Sequence, residues 1–167
     1  MRALAELAPP ELEIVLFQEL NQIPPFNPDL EAENNTGPVA RFRAALHESA
    51  AVLFSTPEYA HGVPGALKNA LDWVVGSGEF SGMPVVMVNA SSRGTYAQAS
   101  LKETLKTMDA RLLHSAEVTI SLLGKNLTVT EITQDPTSAS SLMTSMETVV
   151  EFCVHARTGR IDDITPE

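Results

Sequence analysis

Between Pro57 and Gly62 the chain places a carboxylate (Glu58), a phenol (Tyr59), an imidazole (His61) and a glycine in one short stretch. By type, Glu58 is an acid or base and Tyr59 can cover the edge of a flat ligand. Gly62 lets backbone come close to a bound molecule, and Pro57 stiffens the approach. The stretch follows a short apolar strand, residues 51–55, and precedes a helix expected to open at Pro64. Proline suits a first helical position because the amide it lacks has no intrahelical partner there. A loop at the carboxyl end of a buried strand is where open α/β sheets bind planar ligands. A second candidate follows another strand, in the run N-A-S-S-R-G over residues 89–94. Its small polar residues and Gly94 can present successive amides to an anion or to the edge of a flat ring. Arg93, the one cation in that run, can grip a phosphate through two hydrogen bonds, or simply sit solvated in a plain turn.

Blander roles compete for most of these side chains. Tyr59 also reads as a packing residue, His61 as a solvated loop residue and Glu58 as a structural carboxylate. Lys68 and Asp72, four apart on the expected helix, read as a solvent-facing ion pair of modest value. Leu67, Ala70, Leu71 and Val74 form its buried face, and Trp73 reads as core or subunit contact. His47, His61, His114 and His155 are scattered without ligand-like spacing, so no metal site is expected. The nucleophile elbow of hydrolases, the Walker loop and the dinucleotide fingerprint are all missing from the sequence.

The elements that must position these residues follow from periodicity. Residues 2–8 make a helical stub closed by Pro9 and Pro10, and residues 12–17 (L-E-I-V-L-F) read as a strand. A helix is expected over 39–49, strands over 51–55 and 84–89, and a helix over 64–75. A further helix is expected over 96–113, with Leu101, Leu105, Met108 and Leu112 on one stripe. A strand over 117–121, a helix over 137–156 and a polar tail from residue 157 complete the order. Strands alternating with helices imply a parallel sheet covered on both faces.

Size and charge narrow the function further. A chain of 167 residues, 44% hydrophobic with 9 Gly and 11 Pro, is one folded domain. A net charge of -10 argues against nucleic acid and anionic membranes, and disfavours long-range capture of anionic ligands. Local amide dipoles or a placed arginine must then hold any phosphate. The single cysteine, Cys153, forms no internal disulfide and reads as a buried, inert thiol. No stretch approaches the ~20 apolar residues that span a bilayer, and a cytoplasmic location is expected.

The run P-E-Y-A-H-G-V-P-G-A-L-K-N-A-L-D-W, residues 57–73, resembles the loop and helix of the NAD(P)H-dependent FMN reductases. These are flavodoxin-like quinone, azo-dye and chromate reductases, in which the run reads roughly P-E-Y-N-x-S-x-P-G-x-L-K-N-A-x-D-W. Against that pattern Ala60 stands where it has Asn and Gly62 where it has Ser, with His61 at the open position between them. The resemblance implies an α/β, flavodoxin-like parallel sheet with helices on both faces, as a single domain over residues 1–167. It implies FMN as cofactor, NAD(P)H as electron donor, a small-molecule acceptor and a homodimer or homotetramer. Pro57, Glu58, Tyr59, Ala60, His61 and Gly62 would line the flavin ring, chiefly through main chain. Ser91, Ser92, Arg93 and Gly94 would lie beside it. No catalytic side chain is implied, because hydride transfer needs none.

One part of the family pattern has no counterpart here: the opening strand and its G-S-x-R-x-x-S-x-N phosphate loop. The first, central strand of the sheet is therefore expected to be missing, either because the true start lies upstream or because the chain is a degenerate descendant. Its absence would leave either a gap of roughly 9–10 Å or direct pairing of the neighbours. Losing about three charge-assisted hydrogen bonds to phosphate would remove roughly 5–9 kcal/mol of binding. The function expected is FMN-dependent, ping-pong reduction of quinones, azo compounds or similar acceptors by NAD(P)H. The alternatives are a flavin-free remnant acting as an interaction partner and, more weakly, a flavodoxin-type electron carrier.

Overall fold

The computed structural model describes residues 1–30, 37–122 and 124–157. Its centre is β2 (Pro84–Asn89), to which β1 (Val52–Phe54), β3 (Arg111–Leu112) and β4 (Val118–Thr119) all pair in parallel. β3 meets the start of β2 and β4 its end, with a 3-10 turn, His114–Ala116, between them. The two behave as one interrupted strand.

The nearly continuous apolar run of β2 follows from burial on both faces. Alternate side chains point to opposite sides: Val85 and Met87 join one apolar cluster, Val86 and Val88 the other. The first cluster receives Val39, Phe42 and Leu46 of α2 (Gly37–His47), Leu67, Ala70 and Leu71 of α3 (Gly65–Asp72), and Leu101 and Leu105 of α4 (Thr95–Thr107). The second receives Ala3 and Leu4 of α1 (Arg2–Leu7) and Leu142, Met146 and Val149 of α6 (Pro136–Arg157). Between β4 and α6 lies α5 (Val129–Gln134), absent from the sequence reading. It opens with a capping box in which Thr128 and Glu131 satisfy each other's backbone amides.

Three expectations are corrected. Residues 12–17 form no strand: the segment is extended, and among the described residues its one backbone hydrogen bond runs from the Leu12 amide to the Pro9 carbonyl. Leu12 and Phe17 still pack against opposite clusters. What is lacking among the described residues is a strand within hydrogen-bonding reach; direct pairing with β1 does not occur. The helix expected over 96–113 ends at Thr107, because Asp109 turns left-handed (φ 61°) and the Ala110 amide folds back onto the Leu105 carbonyl. Leu112 therefore stands in β3, not on the helical stripe. Pro64 caps α3 from outside, one position before its first residue.

The expected buried face of α3 is present, and Trp73 is fully buried. Lys68 and Asp72 form the exposed ion pair. Asn69 and Trp73 have a further task. Asn69 Oδ1 accepts the Phe26 amide (2.8 Å), while Asn69 Nδ2 and Trp73 Nε1 both donate to the Pro24 carbonyl (2.9 and 2.8 Å). Phe26 then packs edge-on against the indole. These bonds staple the proline-bearing loop of residues 23–29 to α3. Behind it, buried Glu79 accepts Ser77 Oγ and lies 3.4 Å from Arg43 Nε, and Arg43 Nη2 donates to the Trp73 carbonyl. Cys153 is half-buried on α6. Among the described residues no helix is long and apolar enough to cross a membrane.

Asn69→Ala removes the acceptor of the Phe26 amide and one of the two donors to the Pro24 carbonyl. It is expected to cost about 2 kcal/mol and to lower the thermal midpoint by roughly 4–8 °C in a domain of this size, read by circular dichroism.

Candidate functional site

Parallel pairing of Phe54 with Met87 sends the loops after β1 and β2 out of the same end of the sheet. The two sequence-predicted stretches are thereby brought together. They approach closely: a Cβ at Gly94 would lie 3.6 Å from the Glu58 Cβ.

The first loop folds into a tight two-residue turn. Tyr59 and Gly62 exchange both backbone hydrogen bonds, at 3.2 and 2.9 Å, and the central residues Ala60 and His61 have φ of 49° and 59°. Two left-handed residues in succession are the hallmark of a type I′ turn. For residues other than glycine this costs about 1–2 kcal/mol each. The strain falls on Ala60 and His61 and not on Gly62, whose added Cβ would meet only the Tyr59 carbonyl at an ordinary 3.5 Å. In such a turn the central amides face outward. Among the described residues, those of Ala60 and His61 donate to no protein acceptor.

The second loop is organised from within. Asn89 Oδ1 accepts the Ser91 amide (2.9 Å), and Ser91 Oγ accepts the Arg93 amide (3.2 Å). Ser92 and Arg93 are exposed. Gly94 offers α4 no side-chain cap, and that task passes to the other loop. Glu58 Oε2 accepts the Ala97 amide at 2.8 Å, placing a carboxylate on the free amides and positive dipole of the α4 N-terminus. Glu58 thus acts as a tie between the two loops, and its charge is already engaged.

A residue outside the predicted set completes the crest. Tyr96, in the first turn of α4, stacks on His61 with ring centroids 4.2 Å apart and planes 22° from parallel. Tyr96 is 59% exposed and Tyr59 68% exposed. The periodicity that assigned Tyr96 to a helix hid it; the available signal was a large ring two residues past Gly94, off the apolar stripe. The crest therefore combines two outward amides, exposed rings and one cation, Arg93. This donor set suits the polar edge and face of a flat heterocycle such as an isoalloxazine. The crest offers no paired nucleophile and base.

A family model described as NADPH-dependent FMN reductase matches residues 1–123, which include both loops. An NAD(P)H-dependent FMN reductase of Pseudomonas aeruginosa is 40% identical over 120 residues, 69% of this chain and 64% of that protein. A quinone reductase of Pseudomonas putida is 38% identical over 122 residues, 70% of this chain and 65% of that protein. The chain thus spans just under two thirds of the length of these relatives. Among solved structures, the flavoenzyme NAD(P)H:(acceptor) oxidoreductase FerB from Paracoccus denitrificans superposes with a TM-score of 0.71 at 26% identity, covering 92% of this chain and 86% of that one.

Two substitutions separate tie from strain. Glu58→Ala is expected to destabilise the fold by about 1–2 kcal/mol, as loss of a helix cap does. Ala60→Asn is expected to stabilise it by about 0.5–1 kcal/mol, because asparagine tolerates the left-handed region. Urea midpoints at constant m-value report both.

Proposed function

This chain belongs to the NADPH-dependent FMN reductase family, and from that premise we propose that it is an FMN-dependent NAD(P)H oxidoreductase acting on quinones, azo compounds or similar small acceptors. The single observation that carries the reading is the pair of outward amides at Ala60 and His61, on a crest shared by both strand-end loops. Bound FMN would supply hydride acceptance from NAD(P)H and two-electron delivery to the acceptor. For a quinone, NAD(P)H and one proton are consumed, and NAD(P)⁺ and hydroquinone are released. One open face can serve donor and acceptor in turn, which is ping-pong order.

The chain's own residues hold and orient. The turn from Tyr59 to Gly62 offers amide donors to the polar edge of the heterocycle, and Pro57 limits the freedom of the strand exit. Glu58 keeps the two loops in register through Ala97. Gly94 and the exposed Ser92 border the same face, with Ser91 Oγ accepting the Arg93 amide within the loop. Arg93 is the residue to meet the phosphate, since the nearby helix N-terminus is taken by Glu58. Assembly as a dimer or tetramer is part of the proposal, with subunit contact closing the ring slot.

Titration of the purified chain with FMN is expected to give saturable quenching of flavin fluorescence. One guanidinium contact of about 1.5–3 kcal/mol makes FMN bind roughly 10- to 150-fold tighter than riboflavin, and Arg93→Ala removes most of that preference. Failure to bind either flavin, together with no quinone-dependent oxidation of NADPH, would falsify the reading and leave a flavin-free member of the family.

A further inference from the structure

We propose that His61 and Tyr96 form the acceptor platform of the crest, and that it selects uncharged planar aromatic acceptors, quinones above all, over compact inorganic oxidants. The inference rests on the flavin reading above and names which acceptors that site takes. The two rings come from different loops, one after β1 and one opening α4, and meet face to face at 4.2 Å in solvent. Neither belongs to an apolar cluster, and Tyr96 keeps more than half its surface in water. Core packing therefore does not account for the pair.

The backbone cost points the same way. His61 is held at a left-handed φ of 59°, and strained residues of this kind gather where a ligand is gripped. The turn's contribution to a cofactor comes from main-chain amides, which any side chain at position 61 would preserve. The imidazole is left over, fixed in orientation by Tyr96, with Tyr59 exposed on the same turn. Stacked and exposed rings reward a flat conjugated partner through face and edge contact.

Charge separates the acceptor classes. The chain carries a net charge of -10, and Arg93 is the one cation in the two loops. A chromate-like or ferricyanide anion meets that field with no stacking surface of its own. A neutral quinone avoids the repulsion and uses the rings.

The test is calorimetric titration of the FMN-loaded, oxidised protein with 2-methyl-1,4-naphthoquinone, without NAD(P)H, so that binding is read apart from turnover. Tyr96→Leu and His61→Ala are each expected to raise Kd about tenfold, while Tyr96→Phe stays within about twofold because the ring face and not the hydroxyl is used. In turnover, the ratio of kcat/KM for the naphthoquinone to that for ferricyanide should fall about tenfold in Tyr96→Leu and recover in Tyr96→Phe. If flavin binds but Tyr96→Leu takes up the quinone as the wild-type chain does, the platform is overturned alone. If no flavin binds, the platform falls together with the reading beneath it.

Discussion

Everything in this domain is referred to β2. It is the strand to which all the others pair, and its alternating valines and methionine reach into both apolar clusters. Burial on both faces permits one register only, since a one-residue slip would exchange the two clusters. The same register decides where β1 ends relative to β2, and hence that the loops after them emerge side by side. The crest follows from that pairing.

Position is then refined by polar contacts that bridge elements. Glu58 does for α4 what its own N-cap glycine does not, and in doing so spans the gap between loops. Asn69 and Trp73 perform the equivalent service at the far end of α3, where they hold the backbone of residues 24–26. The run from Pro57 to Trp73 therefore carries two kinds of information. Its first third shapes a tight left-handed turn, and its last third anchors a helix against a loop distant in sequence. This division explains why so long a stretch bears one recognisable pattern.

Features driven by local chemistry were legible before the fold was seen. The limits of β2, the buried face of α3 and the burial of Trp73 all follow from residue type and period. Less was legible where a partner decides the outcome. Residues 12–17 have the composition of a strand, yet strand character requires a neighbouring ladder, and composition cannot supply one. The end of α4 depended on a single aspartate turning left-handed, which the apolar spacing through Leu112 concealed. At the site, Ala60 and Gly62 in place of the pattern's Asn and Ser imply lost side-chain hydrogen bonds. The structure adds that Ala60 and His61 hold a left-handed turn under strain, and that the His61 imidazole finds a partner in Tyr96. Contact between two rings 35 positions apart in the chain has no local signature.

The unpaired stretch at residues 12–17 has a consequence for the timescales of the backbone. Beyond Leu12 its amides have no backbone partner among the described residues, where those of β2 are locked in a ladder, so isotope exchange divides the sheet sharply between a slow centre and a fast flank. Val15, three-quarters exposed on that flank, places an apolar side chain beside open hydrogen-bonding groups. The β1 edge shares this openness. Such margins favour intermolecular strand contact as concentration rises, against the repulsion of a net charge of -10.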